Sequence, residues 1–108
     1  MGSVFEEMAG LDRLIHEPSR LAILTALSTC QRADFVFLQR ITGLTGGNLS
    51  SQISKLADAG LVSVEKKIIA KRSNTLVQIT PRGQEAIEQH WQQLEQLRKS
   101  AQEWKPKS

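Results

Sequence analysis

The apolar residues of this chain keep helical spacing up to Gly60, switch to alternation, and return to helical spacing after Thr80. This double switch constrains the fold more than any other feature, because stripes of period 3.6 and period 2 bury different surfaces. Helices must come first, a small sheet next, and a helix last. Leu21, Ile23, Leu24 and Leu27 mark one helical stripe, and Phe35, Leu38 and Ile41 a second. Leu49, Ile53, Leu56 and Ala57 mark a third. "LVSVEK" (61–66) and "TLVQI" (75–79) are rich in β-branched residues and read as strands, joined by a basic loop, "KIIAKRSN" (67–74).

Boundary residues place the ends. Pro18 has no amide to lose at the first turn of a helix, and Asp34 caps "FVFLQRIT" (35–42). Gly43 ends that helix and Thr45 caps the next. Thr80 before Pro81 starts the last helix, which is expected to run to about residue 104. "STCQRA" (28–33) reads as a loop, and Met8, Leu11, Leu14 and Ile15 predict a first helix over 4–15. With 108 residues and no linker or internal repeat, one domain is expected. Its parts are an N-terminal helix within 1–17, a core over 18–80 and a C-terminal helix over 81–104. Two short helices joined by "TGLTGG" (42–47) and followed by a strand pair give a mainly α fold with a small β-hairpin, a winged helix-turn-helix.

Composition excludes several classes. Aromatic residues are 5% of the chain and Tyr is absent, which argues against single-strand binding on stacked aromatics. Cys30 is the single cysteine, so no intrachain disulfide and no cysteine-based zinc site can form. No apolar run approaches the roughly 20 residues that span a bilayer, so no membrane partner is expected. The acidic start "MGSVFEEM" is unlike a signal peptide, and a cytoplasmic protein is expected.

The net charge of +3 is unevenly distributed. Residues 1–37 are net acidic and 83–108 are balanced, while 38–82 hold Arg40, Lys55, Lys66, Lys67, Lys71, Arg72 and Arg82 against only Asp58 and Glu65. A localised cationic surface is a footprint for a polyanion. The helix inside that segment is the odd one: it opens on Gly46-Gly47 and carries Asn48, Ser50, Ser51, Ser54 and Lys55 away from its apolar stripe. Glu and Lys would make a stabler exposed face. Short donors and acceptors suit a helix entering a major groove, where Asn pairs with adenine, Ser reads either partner, and glycine permits close approach to phosphate. Solvated serines on a plain surface helix would explain the same residues without DNA. The adjoining basic loop favours the groove.

"DFVFLQRITGLTGGNLSSQISKLADAGLVSVEKK" (34–67) with "KRSNTLVQITPRGQEAI" (71–87) resembles the small winged-helix transcriptional regulators related to the MarR and ArsR families. The likeness extends from "HEPSRLAIL" (16–24) to "ITPRGQEAI" (79–87), nearly the whole chain. It implies that 47–59 is the recognition helix and that the basic hairpin is the wing. The DNA-binding set expected on this basis is Thr45, Gly46, Gly47, Asn48, Ser50, Ser51, Gln52, Ser54 and Lys55, with Lys66, Lys67, Lys71, Arg72, Ser73 and Asn74 on the wing. Gln52 and Ala57 depart from the frequent His and Glu of the family, and Ser73-Asn74 from the frequent Pro-Arg.

In the last helix Ile87, Leu94 and Ala101 recur every seven residues, as do His90, Leu97 and Trp104, with Trp91 adjacent. This heptad pattern predicts a homodimer seam, and the resemblance implies the same, so the expected target is a palindromic operator in double-stranded DNA. No metal, cofactor or catalytic residue is expected. The resemblance to ArsR-like regulators implies that a metal site at His90 would need a second pair of His or carboxylate ligands about a dozen residues on, where Ala101 and Trp104 stand, and a buried Cys30 reads as core. A small-molecule effector is left open. The sequence therefore predicts a non-enzymatic DNA-binding regulator acting as a repressor. The alternative is a winged helix that binds protein instead of DNA.

Overall fold

The computed structural model describes residues 13–104. Its elements in chain order are α1 (Pro18–Cys30), β1 (Arg32–Asp34), α2 (Phe35–Thr42) and α3 (Gly46–Asp58). The hairpin β2 (Val62–Ile69) and β3 (Arg72–Ile79) follows, then α4 (Pro81–Gln102). Ile23, Leu24 and Leu27 of α1, Leu38 of α2, Leu49 and Leu56 of α3, Val77 of β3 and Ile87 of α4 are fully buried together. The three helical stripes and the strand alternation thus close on one core, a winged helix with four helices and a small sheet among the described residues.

The predicted caps hold. The Asp34 carboxylate accepts from the Phe37 amide at 2.7 Å, and Thr45 Oγ1 from the Asn48 amide at 3.2 Å. Gly43 ends α2 in the left-handed region at φ 73°. The α1 cap is Glu17, whose carboxylate accepts from the Arg20 amide at 3.0 Å, with Pro18 in the first turn.

Several expectations are corrected. Residues 28–33 are not a loop: α1 continues through Cys30 and turns at Gln31, φ 70°, before β1. β1 pairs antiparallel with β3, Ala33 opposite Val77, so the hairpin becomes a three-stranded sheet in the order β1-β3-β2. The basic loop over 67–74 shrinks to the two-residue turn Ala70-Lys71, because β2 and β3 stay paired out to Ile69 opposite Arg72. Ile41 is 55% exposed, because α2 lies with only Leu38 fully against the core. Phe35 and Leu21 pack at the core's edge, half-buried. Cys30 is exposed, since the last turn of α1 runs past the core. Most of the helix expected over 4–15 lies outside the described residues; residues 13–15 form a turn, with Ile15 buried. α4 ends at Gln102.

One junction fixes how α3, the hairpin and α4 meet. Gly60 (φ 78°) closes α3 in a paired terminal motif, its amide bonding Ala57 O at 3.0 Å and the Leu61 amide bonding Leu56 O at 3.0 Å. The chain then turns back on itself: Thr80 donates its amide to Leu61 O at 3.0 Å and its hydroxyl to Gly60 O at 2.7 Å. The same hydroxyl caps α4 by accepting from the Gly83 amide at 3.0 Å. Gly83 is buried so closely on this junction that an added Cβ would lie 2.0 Å from Leu61 O. In an open helix Gly→Ala stabilises by about 1 kcal/mol. Here the backbone contact reverses the sign: Gly83→Ala is expected to destabilise by about 3 kcal/mol or more, read as a lowered thermal melting midpoint. An unchanged midpoint would mean that α4 does not seat on the Leu61 carbonyl.

Candidate nucleic-acid interface

α3 is amphipathic as its spacing requires. Leu49 and Leu56 are fully buried and Ile53 nearly so, while Asn48, Ser50, Ser51, Ser54, Lys55 and Asp58 are exposed. Nothing in the fold demands its two leading glycines. A Cβ on Gly47 would meet no atom within 4 Å, and one on Gly46 only Gln39 Nε2 at 3.8 Å. Neither has a positive φ. The local cost of glycine at this helix start therefore has no return inside the chain.

Gln52 behaves differently from its neighbours. It is half-buried, and both ends of its amide are occupied: Nε2 donates to Asn48 Oδ1 at 3.2 Å, and Oε1 accepts from Arg20 Nη1 at 2.9 Å. Arg20 also donates Nε to the Leu14 carbonyl and Nη2 to the Arg13 carbonyl at 3.5 Å, and pairs with Glu17 at 3.8 Å. Arg20 thus ties the turn ahead of α1 to α3, and through Gln52 it orients Asn48. Sequence reasoning did not single out Arg20; a lone arginine in an otherwise apolar helix stripe was the available signal.

The hairpin carries the wing residues on two faces. Strand alternation puts Val64 and Lys66 of β2 with Thr75 of β3 on the side facing α3. There they line a groove of about 350 Å³ with Ser50, Ser54 and Asp58. Lys67 and Asn74 pair on the opposite face, where Lys67 also sits 3.6 Å from Glu65. The structure therefore brings Ser50, Ser54 and Lys66 together around one groove and separates Lys67 and Asn74 from it. The turn between the strands is Ala70-Lys71, both with positive φ (51° and 65°), as a two-residue type I′ turn requires. Lys71, Arg72 and Ser73 are exposed at this tip.

The seven-residue pattern of α4 splits in two. Ile87 and His90 are enclosed by the chain itself, His90 with its ring 5.4 Å from that of His16 and 6.0 Å from Trp91. Both are turned into the fold. Trp91, Ala101 and Trp104 are exposed, and Leu94 and Leu97 half-buried. Trp91 borders a second groove, about 650 Å³ and almost wholly apolar, lined by Pro18, Leu21, Thr25, Phe37 and Ile41 among others. Phe37, 42% exposed, was missed by sequence reasoning; an aromatic residue off the α2 stripe was its signal. No group of three or more His, Cys, Asp or Glu able to hold a metal exists among the described residues.

Residues 19–98 match the family model described as a winged helix DNA-binding domain. The chain belongs to this winged-helix DNA-binding family. It is 30% identical over 88 residues to an uncharacterised protein of Methanocaldococcus jannaschii, covering 82% of this chain and 96% of that one. Among solved structures, a transcriptional regulator homologue from Pyrococcus horikoshii superposes with TM-score 0.84 at 32% identity, covering 91% of this chain and 96% of that one. A MarR variant from E. coli shares the fold, with TM-score 0.65 at 20% identity over 86% of this chain and 71% of that one. The fold and class read from the sequence are thereby borne out: this is a winged-helix DNA-binding transcriptional regulator, and its fold is the one that MarR shares.

The α3 glycines yield a test with opposed signs. Gly47→Ala should raise folding stability by up to about 1 kcal/mol, because its Cβ meets open space, and should weaken duplex binding. Calorimetric melting and a binding titration on the same preparation measure both. Stabilisation with undiminished binding would make the glycine a neutral feature of the loop.

Proposed function

We propose that this regulator is a repressor that reads double-stranded DNA with α3 in the major groove and grips the backbone with the β2–β3 wing. One observation carries the reading: the short polar residues of α3 and the cationic hairpin border a common groove, on a helix whose glycines serve no internal purpose. Asn48, Ser50, Ser51, Ser54 and Lys55 reach base edges, with Thr45, Gly46 and Gly47 close to phosphate at the helix N-terminus. Lys66, Lys71 and Ser73 meet phosphates or the minor groove. Lys67, Arg72 and Asn74, on the far face of the hairpin, serve as outer contacts to a phosphate strand. Gln52 acts through Asn48, not on a base.

The working form is a homodimer on a palindromic operator, joined through the distal half of α4. Trp91, Leu94, Leu97, Ala101 and Trp104 run along this half as one stripe, with Trp91, Ala101 and Trp104 exposed and Leu94 and Leu97 half-buried, and Trp91 also borders the apolar groove at Phe37 and Ile41. No helix among the described residues is long and apolar enough to cross a membrane; we place the protein in the cytoplasm, where its target lies. The competing reading, a winged helix that docks on protein through α3, is disfavoured by the cationic hairpin.

Two experiments separate these readings. In binding selections from a randomised duplex pool, Asn48→Ala and Ser51→Ala should each lose about 1–3 kcal/mol of discrimination at particular base pairs while folding normally. Lys71→Ala with Arg72→Ala should weaken all sequences alike and flatten the salt dependence by about one unit of log slope for each phosphate no longer neutralised. Wild-type preference and salt slope in both variants would move the protein-docking reading ahead.

Assembly is tested apart from DNA. Leu97→Glu should give a folded monomer with little operator affinity, because a charge would enter the helix seam. Sedimentation showing the wild type itself to be monomeric at working concentration would refute the dimer.

A further inference from the structure

The wing tip is not simply cationic. Ile68 is 82% exposed, the most open large apolar side chain among the described residues, and Ile69 is 55% exposed beside it. They sit between Lys66-Lys67 and Lys71-Arg72 in sequence, on β2, an edge strand of the sheet. Exposed isoleucines on an edge strand invite pairing with other chains, and proteins ordinarily remove them. β-propensity alone would be met by Thr at lower risk.

Strand alternation fixes the direction in which Ile68 points. Val62 is buried on the core face, and Val64 and Lys66 line the groove against α3; Ile68 continues this row, opposite Ser73. At roughly 3.3 Å per residue it lies about 13 Å beyond Val64, past the end of the groove but on the α3 side. A duplex seated on α3 would meet this face of the hairpin, where Lys66 precedes Ile68 on the same face and Lys71 follows it in the turn, each within reach of a phosphate strand that borders a minor groove.

We propose that Ile68 is an apolar minor-groove contact, a wedge that enters between sugars or partly unstacks a base step and bends the duplex. The proposal rests on the wing reading above. Apolar side chains are used in this way where the extra surface wrapped by a bent duplex offsets the cost of unstacking, and flexible TA and CA/TG steps yield most easily. The charge pattern selects DNA over other apolar partners: an unaccompanied pair of isoleucines would suit a protein groove, whereas a tip with Lys66 on the face of Ile68, Lys71 in the turn, and Lys67 and Arg72 on the reverse face suits a polyanion. Ile69, on the opposite face with Arg72, is not part of the wedge.

An apolar contact releases no counterions, so its signature differs from that of a lysine. Full-length Ile68→Ser should fold with an unchanged melting midpoint, bind a selected duplex at least fivefold more weakly, keep the wild-type salt slope, and bend an end-labelled duplex less by energy transfer. Its affinity deficit should be largest on duplexes carrying a central TA step and smallest on a stiff A-tract. Ile69→Ser, measured alongside, should bind like the wild type. Unchanged affinity and bend in Ile68→Ser, with the flattened slope of the Lys71→Ala, Arg72→Ala variant intact, would overturn the wedge and leave the wing in place. If that double variant keeps the wild-type slope, the wing reading itself fails. Binding of the wild type to vesicles containing anionic lipid, abolished in Ile68→Ser while duplex binding stays, would assign the tip to a membrane and overturn the proposal.

Discussion

The Leu61 carbonyl is the point on which the arrangement of this molecule turns. It accepts from the Thr80 amide, and Gly83 is pressed against it so closely that no side chain fits between. Leu61 itself follows the closing motif of α3, and Thr80 caps α4, so one peptide group indexes α3, both ends of the hairpin and α4 against each other. A shift of any one would break the rest: the carbonyls of Gly60 and Leu61 would lose their donors, at a cost of about 1–3 kcal/mol each. The relative placement of α3 and wing is therefore set by backbone contact. Side chains at the groove can vary without moving it.

Much of this was legible because it rests on local rules. The caps Asp34, Thr45 and Thr80 and the terminator Gly43 announced their elements, and the stripes Leu49–Ile53–Leu56 and Ile23–Leu24–Leu27 found the core. What stayed hidden lacked a local signal. α1 ends on Gln31, a left-handed position without glycine, so its last turn looked like a loop. β1 is three residues of "RAD" with no periodicity, and it exists only because β3 offers an edge. The hairpin turn is Ala-Lys where Asn-Gly would have marked it, at a local cost of about 1–2 kcal/mol per residue. The site was legible as a set of residue types, but not in its division: only the register shows that Lys66 and Lys67 serve different faces, and only tertiary contact shows Gln52 to be occupied.

The heptad pattern of α4 illustrates a different ambiguity. A helix that packs first on its own domain and then projects beyond it keeps one stripe throughout, so periodicity cannot say where one partner ends and the next begins. Burial can. Ile87 and His90 are closed off within the chain, whereas Trp91 and the residues after it are not. In the proposed dimer the distal half of α4 is then a lever held rigidly by the Gly83 junction, and the spacing of two α3 helices on DNA follows from the angle at which α4 leaves the core.

Rigidity is distributed unequally between the two arms of the interface. α3 is anchored along its whole length by Leu49, Ile53 and Leu56, and its Asn48 is oriented through Gln52 by Arg20, which itself holds four groups. The hairpin is anchored only at its base, by Val62, Val77 and Ile79; from Ser63 to Arg72 every residue of β2 and the turn is exposed. Local opening costs least where few apolar contacts are made. A reader of base edges needs fixed geometry, because a bidentate pair tolerates little displacement. A clamp on the backbone needs only charge and reach, and gains from bending with a groove whose width varies with sequence. In the proposed function, then, the helix supplies direct reading and the hairpin responds to duplex shape, a division that follows from which arm the core holds.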